Sequence, residues 1–277
     1  MSTIYDQILR GEPLDSTPFI DTHGHFGPWS ETCIPYAQDG ARVIAEMDRF
    51  GCDLIWVSAS DPGYGDAMSV KNDYVFALAE QYPERIVPYC TLSANEPDAC
   101  LAELTRCLAR GRCVGVKMHV YTQAAYTLRS AFLQPVFELL HEHKLVYLNH
   151  TLALGGPDDL PWVLTRYPEI TFLAGHVWPA ANDLAKTHAN LFDCTCAAQS
   201  PDWVENEVKR CGSSTTMLLG SDFPLLSLAF GVGMIAYTRL PERDKRNILG
   251  LNALRILERI SWFEKSMLKC TKWEEMG

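Results

Sequence analysis

The stretch Phe19-Ile20-Asp21-Thr22-His23-Gly24-His25-Phe26-Gly27 sets an aspartate and two histidines at alternate positions directly after two apolar residues. In an extended strand, residues of one parity face the same way, so His23 and His25 project together. Imidazole is a common ligand of zinc, iron and nickel, and two nitrogens fixed on one strand end supply half of a four-coordinate site. Gly24 and Gly27 leave room beside them. The same residues would also fit a turn that holds two histidines and a buried aspartate.

Polar residues of the same kind stand at the ends of other apolar runs: Lys117 and His119, His150, His176, Asp193 and Asp222, so that five of the eight histidines lie at or just past such an end. If these runs close into a barrel, His23, His25, His150, His176, Lys117 and Asp222 converge on one mouth. Three imidazoles and one carboxylate from this set hold a single divalent cation and leave a position open for water, whose pKa the cation lowers toward neutrality. Asp222 is then both ligand and general base. His176 orients the water or the substrate, or shuttles a proton. Asp21 shares the parity of the histidines but lies deeper, as a partner of the ligands or as a capped buried carboxylate. Lys117 has three readings: a partner for a substrate carboxylate, a carboxylated amine bridging a second cation, or a structural lysine that snorkels out of the barrel. His119, Tyr121 and Arg129 would be specificity contacts if their loop folds over the mouth. Trp29 and Trp178 fit either an apolar wall or core filler. His141, His143 and His188 fall on helical stretches and read as surface residues.

The elements that must position these groups follow from periodicity. Short apolar runs, at 19–22, 54–59, 86–91, 114–117, 145–149, 170–174, 190–194 and 217–220, alternate with helical patterns at 41–50, 70–81, 98–109, 131–143, 160–167, 182–187, 202–210 and 241–259. Gly51, Gly111 and Gly212 follow three of the helices where a stop is expected. Eight strands alternating with eight helices fit a (β/α)8 barrel or a doubly wound sheet. Sites separate the two: a barrel gathers residues from many strand ends, and no Gly-rich phosphate fingerprint follows the first strand. The expectation is one barrel domain over 1–277, with 261–277 as an amphipathic tail carrying Trp262 and Trp273 that packs on the barrel's outside or on a partner.

The 277-residue chain can bury a full-sized core, and its formal charge of −10, without a cluster of Lys and Arg, argues against nucleic-acid or acidic-membrane surfaces. Ten cysteines form no CxxC pair, and Cys90, Cys113 and Cys194 sit inside apolar runs, as reduced thiols do in a reducing compartment. No basic segment followed by an apolar run opens the chain, and no apolar stretch approaches bilayer length. These features point to a cytoplasmic protein.

With these residues assembled, the chain resembles the amidohydrolase superfamily, in its amidohydrolase-related branch, which includes amino-carboxymuconate-semialdehyde decarboxylase and related decarboxylases and lactonases. The likeness runs from about Phe19 to Leu257 and rests on FIDTHGHFG, YPERIVPYCTL, GVKMH, LVYLNHT, PEITFLAGHVW, LFDCT, LLGSDFP and NILGLNALRIL. It implies a distorted (β/α)8 barrel, with metal ligands on His23, His25, His150 and Asp222, a catalytic histidine at His176, and one zinc ion or, in some members, manganese. Two departures bear on substrate: Val120 stands where the family often has proline, and Val177-Trp178 follow His176 where glycine is common.

The first expectation is therefore a metal-dependent hydrolase of a small ester, lactone or amide. The second is a non-oxidative decarboxylase of an aromatic or unsaturated acid on the same scaffold, with Lys117, His119, Arg129 and Trp178 as substrate contacts in either case. The third, of another class, is a non-catalytic barrel that binds a metal or small ligand. Homodimers are common among similar barrels, and the aromatic tail is compatible with one.

Overall fold

A computed structural model describes residues 3–27, 39–60, 67–120, 124–176, 183–196 and 198–268. Eight strands, β1 (Ile20–Phe26), β2 (Leu54–Ala59), β3 (Ile86–Thr91), β4 (Gly115–Met118), β5 (Val146–Asn149), β6 (Thr171–Ala174), β7 (Leu191–Cys194) and β8 (Met217–Leu218), lie side by side in chain order. Each neighbouring pair is parallel. The ring closes between its first and last members: Thr22 N–H donates to Leu219 O at 2.9 Å, Asp222 N–H to His23 O at 2.8 Å and His25 N–H to Phe223 O at 2.6 Å. The fold is a (β/α)8 barrel, and an open doubly wound sheet is excluded.

The strands read as continuous apolar runs because both of their faces are covered. On β2, Ile55 and Val57 pack with Val43 and Met47 of the surrounding helices, whereas Leu54 and Trp56 belong with Tyr89 in a second core cluster. Tyr89 reaches across the barrel floor to donate to the Thr22 carbonyl at 3.1 Å. Helices between the strands start and stop on local chemistry. Asp39 accepts from Arg42 N–H ahead of Gly40–Phe50, and Gly51 ends that helix at φ +73°. Ser200 and Pro201 open Pro201–Cys211, and Gly212 closes it at φ +75°.

Two helices, Ile4–Leu9 and Leu228–Ala236, are absent from the periodicity-based reading. The second is LAFGVGMIA, apolar on every side and therefore without a stripe to detect. The expected helix over 241–259 runs without interruption from Glu242 to Leu257, with a π-helical turn at Asn247–Leu251 in its middle. Gly250 lies in that turn, where the helix presses on the segment leading into β1: a Cβ there would stand 2.2 Å from the Pro18 carbonyl oxygen. Part of the C-terminal tail, 261–268, is described. Trp262 Nε1–H donates to Cys113 O at 3.1 Å, and Met267 and Leu268 are buried against the barrel. Trp273 lies outside the described residues. No helix among the described residues is long and apolar enough to cross a membrane.

Candidate active site

The β1–β2 register shifts between Asp21 and Gly24, and β1 runs on through His25 to Phe26 rather than ending at Thr22. Asp21 fixes this end. Its fully buried carboxylate accepts from His23 N–H at 3.1 Å, from Ser221 N–H at 2.9 Å and from the Ser221 hydroxyl, tying β1 to the segment after β8. Burial pushes its carboxyl up to about 7, against the pull of those hydrogen bonds. Asp21 thus acts on His23 through its backbone, not its ring.

The two β1 imidazoles converge on Asp222. His25 Nε2 lies 3.0 Å and His23 Nε2 3.6 Å from Asp222 Oδ1. Behind them, His23 Nδ1 faces the Gly175 carbonyl at 3.3 Å, and His25 Nδ1 faces the Ala59 carbonyl at 3.2 Å and Ser58 Oγ at 3.0 Å. A carbonyl oxygen only accepts, so each ring carries its proton on Nδ1 and turns the Nε2 lone pair inward. An imidazole lone pair then faces a carboxylate oxygen at 3.0 Å. Two acceptors stand this close when a proton or a cation lies between them, and donors each about 2.1 Å from one zinc-sized ion meet that condition. The donor set fits a divalent cation.

Room for His23 depends on two glycines. A Cβ at Gly220 would meet Cys194 Sγ at 2.1 Å and His23 Cβ at 2.8 Å, and one at Gly175 would meet Asn149 O at 2.6 Å and His23 Cε1 at 3.2 Å. Gly220→Ala is expected to lower stability by about 1–3 kcal/mol through overpacking and to displace His23. Thermal melts with and without added zinc check both effects, since a displaced ligand removes the stabilisation that the metal gives.

Asp222 holds φ +62°, the left-handed region, and its carbonyl accepts from the Leu225 and Leu226 N–H groups. Aspartate tolerates this conformation better than most residues, and strained backbone concentrates at functional sites. Burial raises its carboxyl, but His25, His23 and His176 around it more than reverse this and hold it well below the usual range. Lys117 is 1% exposed, with Nζ 2.8 Å from His23 Nε2, so the snorkelling reading does not hold. Burial lowers its amine to about 8, with Asp222 opposing. A positive group therefore already faces the inward lone pair of His23.

The remaining histidines form a row. The His150 ring centroid is 4.0 Å from that of His176 and 4.2 Å from that of His119, and the His176 ring is 5.5 Å from His23. Burial pushes all three down, His150 to about 2, His119 to about 3 and His176 to about 4, so they are neutral imidazoles at physiological pH. Among the described residues, the group at the mouth whose ligand atoms all lie within 4.8 Å of one another is His23, His176 and Asp222; His150 stacks beside it. A second such group, Cys90, Glu103 and Cys107, lies away from the mouth, its carboxylate bonded to Arg106 and Asn72.

Arg129 is engaged elsewhere: Nε donates to Asp159 Oδ1 at 2.6 Å and its guanidinium lies 4.5 Å over the Trp162 ring. Tyr121, Trp29 and Trp178 lie outside the described residues. The strand parity of β7, not weighed in the sequence, adds two thiols. Cys194 Sγ is 3.8 Å from His23 Nδ1 and Cys196 Sγ 3.5 Å from His176 Nδ1. Asp193, of the opposite parity, is buried beside Glu207 and Arg210, with no hydrogen-bond partner for either oxygen among the described residues.

The sequence profile of the family described as Amidohydrolase matches residues 20–259, nearly the whole barrel. The chain belongs to the amidohydrolase family. No curated protein sequence matches this amidohydrolase. Among solved structures it is similar to 5-carboxyvanillate decarboxylase from Sphingomonas paucimobilis, at 16% identity and TM-score 0.68, covering 89% of this chain and 100% of that one. It is similar also to 2,6-dihydroxybenzoate decarboxylase from Rhizobium, at 15% identity and TM-score 0.68, covering 87% and 98%. A dihydroxybenzoic acid decarboxylase from a Polaromonas species, solved with bound manganese and an inhibitor, matches at 16% identity and TM-score 0.67, covering 87% and 96%. At these identities the likeness is one of fold.

Proposed function

We propose that this amidohydrolase is a divalent-metal-dependent, non-oxidative decarboxylase of an aromatic or unsaturated carboxylic acid. The observation that carries this reading is Lys117: a lysine amine, 1% exposed, set among the metal-binding candidates. With Asp222 ionised and Lys117 protonated, the two charges cancel, and a divalent cation leaves the site positive and matched to an anionic substrate. An ester or amide substrate brings no charge for a buried ammonium group to pair with in the ground state, whereas decarboxylation begins with a carboxylate. The decarboxylase neighbours support the same choice, which sets aside the hydrolase as the first expectation.

We assign His23, His25, His150 and Asp222 to the metal, zinc or manganese. When bound, such an ion supplies positive charge that binds substrate oxygens and stabilises the charge developing on them. Lys117 pairs with the substrate carboxylate, and His119, at the end of the histidine row farthest from His23, contacts the ring; Arg129, held by Asp159 and Trp162, takes no part in this reading. As the bond to the carboxyl carbon breaks, carbon dioxide leaves and the electron pair stays on the ring carbon. Asp222 relays a proton from solvent to that carbon, and His176 orients the substrate by hydrogen bonding.

The test loads the protein with zinc or manganese and offers aromatic acids beside aryl esters and lactones in heavy water. Carbon dioxide released in equal amount to a product deuterated at the vacated carbon is the expected result. Ester or lactone cleavage without carbon dioxide restores the hydrolase, and a metal-replete protein inert to the whole panel favours the non-catalytic barrel.

A further inference from the structure

The imidazoles of the site differ in what stands behind them. His23 and His25 each place Nδ1 against a backbone carbonyl, Gly175 at 3.3 Å and Ala59 at 3.2 Å, which fixes the proton on Nδ1 and frees Nε2. His176 has no carbonyl there among its described contacts; its Nδ1 faces Cys196 Sγ at 3.5 Å. Cys196 is 1% exposed. A neutral thiol is a weak donor and a weaker acceptor, whereas an unprotonated imidazole nitrogen accepts well, so the S–H points to the ring. Cys194 Sγ also hydrogen-bonds the Cys196 thiol and takes the Cys196 backbone N–H at 3.4 Å; sulfur is a weaker acceptor than an imidazole nitrogen, so Cys194 is the donor of that thiol pair. With the thiol proton on the Nδ1 lone pair, the neutral ring carries its own proton on Nε2. Neither nitrogen then has a lone pair for a cation, even though His176 lies within 4.8 Å of the ligand atoms of His23 and Asp222.

We infer that Cys196 is a positioning residue: its thiol holds His176 as the Nε2–H tautomer, which keeps that ring out of the metal's coordination shell and makes it a hydrogen-bond donor to substrate. The inference rests on the reading of His23, His25 and Asp222 as metal residues. It also gives a physical reason why the fourth ligand is the neighbouring His150 and not the closer-grouped His176. Both rings belong to the same stacked pair, but the thiol contact belongs to His176. Partners of this kind fix ring orientation and tautomer in metal sites.

The test is long-range proton–nitrogen NMR of protein carrying 15N-labelled histidine, metal-free and zinc-loaded, with His176 assigned by its loss in His176→Gln. The wild type is expected to show His176 as Nε2–H in both states. Cys196→Ala should bring up the Nδ1–H form, its Nδ1 resonance moving from the unprotonated to the protonated position, while Cys196→Ser, whose hydroxyl donates the same bond, restores the Nε2–H form. Zinc content should be unchanged in both variants. Wild-type His176 found as Nδ1–H, or with a nitrogen shifted by zinc, overturns the inference, as does a spectrum that Cys196→Ala leaves unaltered. If Cys196→Ala does not fold, the wild-type tautomer decides. A wild type that binds no zinc counts against the metal reading instead, and the tautomer is still read in the metal-free protein.

Discussion

Asp222→Asn is expected to release the divalent cation and to cut turnover by more than the roughly 100-fold that loss of an outer partner of a metal ligand costs. Asp222 Oδ1 is the point on which His25 Nε2 at 3.0 Å and His23 Nε2 at 3.6 Å both converge, so an amide there removes the charge that balances the ion. Asparagine is the informative replacement because residue 222 sits at φ +62°. Asparagine tolerates the left-handed region, whereas alanine there adds about 1–2 kcal/mol of backbone strain and confuses loss of metal with loss of fold. Ser58→Ala is the graded control. It removes the hydroxyl 3.0 Å from His25 Nδ1 but leaves the Ala59 carbonyl, and should cost roughly 10-fold in metal affinity. Metal content after dialysis, measured beside the thermal melt, reads both variants. Full metal retention by Asp222→Asn with a native melt would remove the site assignment, whatever the reaction proves to be.

Much of this was legible before any coordinates, and the reason is geometric. In a parallel barrel the side chains at the carboxyl ends of strands share one mouth, so His23, His25, Lys117, His176 and Asp222 could be grouped from their places after apolar runs alone. Strand limits survived for the same reason: β2 and β3 are continuous runs bounded by helices, and both limits match those read from periodicity. What stayed hidden has particular causes. The Leu228–Ala236 helix shows no stripe because it is apolar all round. The π-helical turn at Asn247–Leu251 sets Gly250 against Pro18, which is more than two hundred positions away in sequence. Arg129 looked like a mouth residue from its position after β4, but Asp159 and Trp162, on the helix that follows β5, hold its guanidinium. Cys196 could have been found by carrying the inward parity of Cys194 forward by two residues. A small apolar thiol offers no chemical signal until an imidazole is seen beside it.

Lys117→Met should separate substrate binding from metal binding. Truncating one partner of a buried charge pair costs about 2–5 kcal/mol, so kcat/KM for a carboxylate substrate is expected to fall roughly 30- to several-thousand-fold, with metal content unchanged at one equivalent. Arginine should not rescue it, because a planar fork does not fit where a compact ammonium group lies 2.8 Å from His23 Nε2. The same substitution should raise stability in the metal-free protein. Burial lowers the Lys117 amine from 10.5 to about 8, so the folded state holds the charged form at a cost of about 3 kcal/mol, which methionine removes. The sign of the pH dependence follows. Between about pH 8 and pH 10.5 the unfolded chain binds more protons at this lysine than the folded one, so wild-type stability rises with pH across that window, and the advantage of Lys117→Met shrinks with it. Denaturant melts of both proteins at pH 7.5 and above pH 10, roughly either side of the window, read the difference. A second metal equivalent that disappears in Lys117→Met would instead mark the amine as carboxylated and ligating, and the protein would then lose stability in metal rather than gain it without. A buried lysine kept at that cost is what a site that must seize a carboxylate requires, and a variant that is more stable but no longer discriminates acids from esters would place the recognition on this side chain.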